Sequence, residues 1–316
     1  MNRRTFVAAL AASFVVRGTL AASDEGPGGK RVALLCLGSE AQFKARLDVL
    51  RKALPGVVFE PRYAEGALTR LATLAREIAS SAPAAIVSDS VLATHALYEA
   101  TATIPVVMAR SEDPVGNRLV KTLDRPGGNV TGVVTGNLEN VLTGAQTLAA
   151  MMPAGLGIGV LLNQGNAAYR PTRSRIHYVA QKQKRAPVYL DASVRDEIAG
   201  AFASLKTEKV GGVVVMDDPM FLDEAPSIVK AANAANVPVV YPDRVFVEAG
   251  GLMALGGDAT AAMAKAATYV QRILAGTHPS QLAVEMLPAQ WSVNRATARA
   301  QGARIPAAVL REARQG

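Results

Sequence analysis

The sequence predicts an α/β protein built from two similar units, each a mostly parallel sheet flanked by helices. Three observations predict it. From Arg31 onward, short β-branched runs alternate with longer stretches of 3.6-residue apolar periodicity. Midway, the cluster Arg125-Pro126-Gly127-Gly128-Asn129 interrupts this rhythm, which then restarts. Composition agrees, since the 316 residues are 50% hydrophobic but only 5% aromatic. That is aliphatic material for helices on sheets rather than for an aromatic-rich β-sandwich.

The elements follow in order. Val32 to Leu37 reads as a first strand, and Glu40 to Leu54 as a helix with Phe43, Leu47 and Leu50 on one face, stopped by Pro55-Gly56. Val57 to Phe59 is a strand, Leu68 to Ala79 a helix, Ala84 to Val87 a strand, Val91 to Thr101 a helix and Ile104 to Met108 a strand. Asp113-Pro114 is expected to start another helix, with Asp as cap and Pro in the first turn. The second unit comprises strand Ile158 to Leu162, helix Thr172 to Lys184, strand Val188 to Leu190 and helix Asp196 to Leu205. Strand Gly212 to Met216, helix Ala225 to Ala235 and strand Val237 to Tyr241 complete it. The remainder supplies a short strand, Leu252 to Leu255, and a long helix opened by Asp258 and ended by Gly276. A last strand, Gln290 to Val293, precedes a helix capped by Asn294 and closed by Gly302.

Other features exclude function classes. The lone cysteine, Cys36, forbids an internal disulfide and a cysteine-based metal cage. His95, His177 and His278 are far apart, so no metal is expected. There is no GxSxG elbow and no Walker A loop, and Gly155-Leu156-Gly157-Ile158-Gly159 precedes a strand instead of following one. An enzyme is therefore not expected, nor any cofactor. The formal charge is +8, but the bases are spread singly, and the densest run, Gln181-Lys182-Gln183-Lys184-Arg185, reads as a solvated helix face, so nucleic acid is not an expected partner. Residues 1–23 carry the marks of an export signal: Arg3 and Arg4, an apolar run from Phe6 to Val16, and Thr19-Leu20-Ala21 near a cleavage point.

The chain resembles the periplasmic substrate-binding proteins of ABC transporters, in particular the type I family whose members bind aromatic amino acids. The resemblance is carried by Ile104-Pro105-Val106-Val107, Asp113-Pro114-Val115-Gly116, Leu119-Val120 and Arg125 to Gly132. Further matches are Phe246 to Met253, Tyr63-Ala64-Glu65-Gly66, and Asn294 with Gly302 and Ile305-Pro306. It implies two Rossmann-like lobes joined by three crossings near Thr131 to Asn137, Gly250 to Gly256 and Leu282 to Pro288, closing over a ligand. The expected division is a signal at 1–23, a first lobe of 30–133 plus 256–284, and a second of 134–255 plus 285–316. The implied protein is a periplasmic monomer that hands a small amino-acid-like or related polar solute to an ABC permease and its ATPase. A ligand sensor signalling to a membrane receptor needs the same hinge and stays open as an alternative. Leu255-Gly256 stands where the family often has Tyr-Gly, and Asp89 and Asp217-Asp218 are more acidic than its usual pattern.

In open parallel sheets, ligands sit beyond the carboxyl ends of the strands. That rule selects Gly38, Ser39, Ser88, Asp89, Ser90, Arg110 and Ser111 in the first lobe, and Asn163, Gln164, Asp217, Asp218 and Tyr241 in the second. Ser90 and Arg110 are expected to take an anionic end, the first at a helix N-terminus and the second by paired hydrogen bonds. Helix capping by Ser90, and a salt bridge from Arg110 to Glu112 or Asp113, are the structural alternatives. Asp89, Asp217 and Asp218 suit a cationic group, and the loop Asn163-Gln164-Gly165-Asn166 suits neutral polar groups. Tyr241 is read either as a stacking surface or as a core residue.

Overall fold

A computed structural model describes residues 29–135, 138–165 and 170–315; the expected export signal and Asn166 lie outside the described residues. The chain begins with β1 (Arg31–Cys36), α1 (Glu40–Ala53), β2 (Val58–Tyr63), α2 (Leu68–Ser80), β3 (Ala85–Ser88), α3 (Val91–Ala100), β4 (Val106–Met108) and β5 (Val130–Val134). It continues with α4 (Leu138–Met151), β6 (Gly157–Leu162), α5 (Arg170–Lys182), β7 (Pro187–Asp191), α6 (Glu197–Ala203), β8 (Val210–Val215), α7 (Pro219–Asp223), α8 (Ala225–Ala235), β9 (Val239–Tyr241), α9 (Arg244–Glu248) and β10 (Met253–Gly256). Last come α10 (Ala259–Leu274), β11 (Glu285–Met286), β12 (Gln290–Val293), α11 (Arg295–Gln301), α12 (Ala307–Glu312) and β13 (Arg314–Gln315). No described helix is long and apolar enough to cross a membrane.

Two sheets result, ordered β11-β5-β4-β3-β1-β2 and β13-β12-β10-β9-β8-β6-β7. Every pairing is parallel except that of β10 with β12. Both sheets repeat one doubly wound plan, in which the chain starts near the middle, adds one neighbour, then reverses direction across the sheet. The point of reversal lies between β1 and β3 in the first and between β6 and β8 in the second.

The helices form where the apolar spacing places them. α1 buries Phe43, Leu47 and Leu50, and α2 buries Leu71, Ala75 and Ile78, each set on one helix face. α10 is capped by Asp258, whose Oδ1 accepts the Thr260 and Ala261 N–H groups at 2.9 Å. Its Ala262, Met263, Ala266, Val270 and Ile273 pack with Val32, Leu34, Val107 and Val133, closing one face of the first sheet.

Several elements differ from expectation. β2 runs on through Pro61 to Tyr63, which is permitted because it is the edge strand and proline there deprives no neighbour of a hydrogen bond. No helix follows Asp113-Pro114. Asp113 has φ +38° instead of the extended conformation of a cap, and Arg118 at φ +57° breaks the helical repeat. A series of turns results, with Asn117 N–H donating to Asp113 O at 2.9 Å and Leu119 N–H to Pro114 O at 2.9 Å. β5 occupies residues expected to be a crossing, and its Gly132 explains why it does not read as a strand. Gly132 has φ +134°, and a Cβ there would lie 2.2 Å from Met108 O.

The chain passes between the sheets after β5, after β10 and after β11. Glu285 and Met286 pair with Val133 and Val134, so β11 belongs to the first sheet. At the second passage, a Cβ on Gly257 would lie 2.6 Å from Thr135 Cβ; glycine lets two crossing segments touch.

Candidate binding cleft

The two reversal points face each other. Leu37 and Gly38 leave β1, Asp89 and Ser90 leave β3, Asn163 leaves β6, and Asp217 and Asp218 follow β8. They line two adjoining cavities between the lobes. The smaller, about 60 Å3, is walled by Gly38, Gln42, Arg46, Ser90 to Leu92 and Arg110 to Glu112 from one lobe, and by Asp217 and Leu222 from the other. The larger, about 440 Å3, is walled by Glu65, Gly66 and Leu68 facing Asn163, Ser193 to Asp196, Asp218, Met220 and Asp223. Leu37 lines both.

The residues at and around the cleft divide into three groups, two expected and one not. Asp89, Ser90, Arg110, Ser111 and Asp217 line the smaller cavity, and Asn163 and Asp218 the larger. Ser90 also caps α3, its Oγ accepting the Ala93 N–H at 3.2 Å. Asp89 is buried, and its Oδ1 accepts the Leu37 N–H at 3.0 Å, tying the end of β1 to the end of β3. Burial pushes its carboxyl up in pKa, while Arg46 and that N–H pull it down. Asp218 caps α7 by accepting the Met220 N–H at 2.9 Å.

Ser39, Ser88, Gln164 and Tyr241 form the second group, and none of them lines either cavity. Ser39 precedes α1, and its N–H donates to Gln42 Oε1 at 2.8 Å. Ser88 is fully buried, with its Oγ 2.7 Å from Thr94 Oγ1. Gln164 is exposed in a turn where Asn163 Oδ1 accepts the Gly165 N–H at 2.9 Å. Tyr241 is buried and stacks on Phe246, ring centroids 4.8 Å apart. These side chains hold the walls.

Arg110 also behaves differently. Its Nη2 reaches across the cleft to both carboxylate oxygens of Asp217 at 2.5 Å, with Asp243 Oδ2 at 3.8 Å. Its partners are thus on the opposite lobe, not the adjacent Glu112 or Asp113. Asp217 and Asp243 outweigh the burial that opposes its charge.

The third group escaped sequence reasoning: Gln42, Arg46, Glu65, Glu112, Arg195, Asp196 and Asp223. Gln42 and Arg46 sit one turn apart on α1, where helical spacing from the cleft end of β1 was the available signal. Glu112 was read only as a partner for Arg110. In the cleft, burial together with the Asp217 and Asp218 carboxylates pushes its pKa up to about 8, against the pull of Arg110. Such a group binds a proton in the folded state that it has released in the unfolded chain between about pH 4.5 and 8. Stability is therefore expected to fall as pH rises through that window. Urea denaturation at pH 5, 6.5 and 8 checks this: the decline should be steeper in the wild type than in Glu112→Gln, and equal slopes would refute it.

Among the described residues, no group of three or more His, Cys, Asp or Glu side chains is placed to hold a metal ion. What the cleft offers is a pair of cavities shared by two lobes. The family model for ABC transporter substrate binding proteins matches residues 51–316. This chain belongs to that family. A conserved domain protein from Vibrio cholerae has the same fold, with 27% identity, a TM-score of 0.80, and coverage of 90% of this chain and 99% of that one. An ABC domain from Streptococcus pneumonia, solved in complex with L-Trp, matches at 25% identity with a TM-score of 0.79, covering 91% and 99% respectively. A tyrosine-binding protein of Clostridioides difficile is 27% identical over 215 residues, which is 68% of this chain and 61% of that protein's length. The substrate-binding family assignment thus coincides with a two-lobed α/β fold of the type I periplasmic kind.

Proposed function

We propose that this ABC substrate-binding protein captures a small amino-acid-like or related polar solute in the interlobe cleft outside the cytoplasm and delivers it to a permease and its ATPase. The observation that carries the reading is that both topological switch points converge on one pair of cavities, so a single solute touches both lobes only when they are together. Binding energy is then convertible into closure, the shape a permease can distinguish. The tryptophan complex and the tyrosine-binding relative support the amino-acid-like class. The Arg3-Arg4 leader and the family support a place outside the cytoplasm after cleavage.

On this reading the first turn of α3 offers the Val91 and Leu92 amides, at the positive end of a ten-residue helix, to an anionic group. Asn163 and the carboxylates of the second lobe receive the remaining polar groups. Arg110 serves lobe contact, since Asp217 already occupies its guanidinium. No covalent step is involved.

Native mass spectrometry of the exported protein, followed by denaturation and identification of any released solute, tests the proposal. A stoichiometric polar metabolite is expected. A thermal-shift panel of amino acids, amines, purines and organic acids is the companion measurement, where a ligand at 100 times its Kd adds about 2.7 kcal/mol of stability. No retained solute together with a flat panel would sink the reading.

A further inference from the structure

Arg46 and Arg110 both line the smaller cavity, and they are employed differently. Arg110 is taken by Asp217 and approaches Asp243. Arg46, one turn beyond Gln42 on α1, donates from Nη2 to the Gln42 carbonyl at 3.3 Å, and its guanidinium lies 5.1 Å from the centroid of the Phe43 ring. Among the described residues, no carboxylate comes within 4 Å of that guanidinium. Its charge is nevertheless felt by Asp89 at the end of β3 and by Asp223 of the opposite lobe, which sets it in the cleft and not on the outer face of α1. Asp89 is no direct partner for it. The Asp89 Oδ1 is committed to the Leu37 N–H at 3.0 Å, and burial opposes ionisation of its carboxyl.

Much of the remaining wall consists of donors. Val91 and Leu92 bring the first-turn amides of the ten-residue α3, which have no acceptor inside the helix. Gln42 gives its Oε1 to the Ser39 N–H, which leaves its Nε2 to donate. A further observation is independent of charge. Ser111 lines the same cavity and is 2% exposed, and its Oγ makes no hydrogen bond among the described residues. A buried hydroxyl without a partner is costly, and a carboxylate oxygen would satisfy it.

We infer that the smaller cavity takes a carboxylate of the captured solute, paired with the Arg46 guanidinium, with Ser111 Oγ donating to it and the α3 amides facing it from β3's end of the sheet. The solute is therefore an acid, either an amino acid held by its α-carboxylate or an organic acid, and not a simple amine. This rests on the capture reading and sharpens it by giving the solute a direction, acidic end in the smaller cavity and the remainder in the larger. It also gives to Arg46 the part that sequence position suggested for Arg110.

Isothermal titration calorimetry tests it by comparing acids with their decarboxylated partners: L-tryptophan with tryptamine, L-tyrosine with tyramine, L-arginine with agmatine, L-leucine with isoamylamine. At least one acid is expected to bind the wild type tenfold or more tightly than its amine. Arg46→Gln should weaken that acid by about tenfold or more while leaving its amine unchanged, a selective loss that a merely structural arginine would not produce. Arg46→Lys should lose less, since a charge remains without the paired hydrogen bonds, and Ser111→Ala should weaken the acid several-fold. The ratio of acid to amine in the wild type judges the inference even where a variant folds poorly. An amine binding as tightly as its acid in every pair, or an acid that binds Arg46→Gln as it binds the wild type, would overturn the inference while leaving solute capture standing. A wild type that binds none of these probes overturns it as well, and the solute released in native mass spectrometry then decides whether capture survives.

Discussion

Arg110→Ala is expected to separate the lobes. The guanidinium pairs with Asp217 across the cleft, with its side chain 14% exposed and that of Asp217 20% exposed. Truncation leaves Asp217, Asp243 and Glu112 facing one another without it, and removing one partner of a largely buried pair costs about 3–5 kcal/mol. The partial exposure of both groups places the expected loss near the lower end, about 3 kcal/mol. Small-angle scattering should show a larger radius of gyration, and urea denaturation a lower midpoint. Asp217→Ala in the same background should recover much of the loss, because the stranded charge goes with it. An unchanged radius and a stability change below about 0.5 kcal/mol would show that the bridge contributes nothing. A loss confined to solute affinity, with the lobe equilibrium intact, would restore to Arg110 the anion-binding part that its sequence position suggested.

The second large effect is expected at Tyr241. Its ring stacks on Phe246 within a cluster that includes Phe221, Ile228, Val239 and Ala254, and burial alone pushes its phenol pKa up. Tyr241→Ala should cost about 3–5 kcal/mol, the range for emptying a buried aromatic site. Tyr241→Phe keeps the volume and should cost less than about 1.5 kcal/mol. Chemical denaturation measures both, and a cost below about 1 kcal/mol for the alanine variant would mean that the ring faces the cleft after all.

The regular elements were legible because their signals are local. α8 and β12 lie where periodicity and turn residues put them, and Gly302 at φ +63° closes α11 as a residue past a helix end should. β5 was hidden because its glycine answers to Met108 on a neighbouring strand, a contact that spacing along the chain does not encode. The turns after Asp113 defeated the expectation of a helix for a related reason. Leu119 and Val120 are drawn into the core beside Met108 and Val130, which overrides the local helix start. Within the cleft, the switch-point rule found the strand ends but not what lay opposite them. Asp217 was legible as a position, yet its pairing with Arg110 depends on how two lobes meet across more than 100 residues of chain.

The return of α10 to the first sheet has a kinetic consequence. Val32 and Leu34 share their packing with Ala266, Val270 and Ile273, so this half of the molecule cannot complete its interior until the polypeptide is nearly finished. Contacts so distant along the chain are slow to form, because loop closure must precede any gain from packing. A growing chain therefore remains incompletely folded for most of its synthesis. If the chain is exported as proposed, late consolidation extends the interval in which translocation can compete with folding.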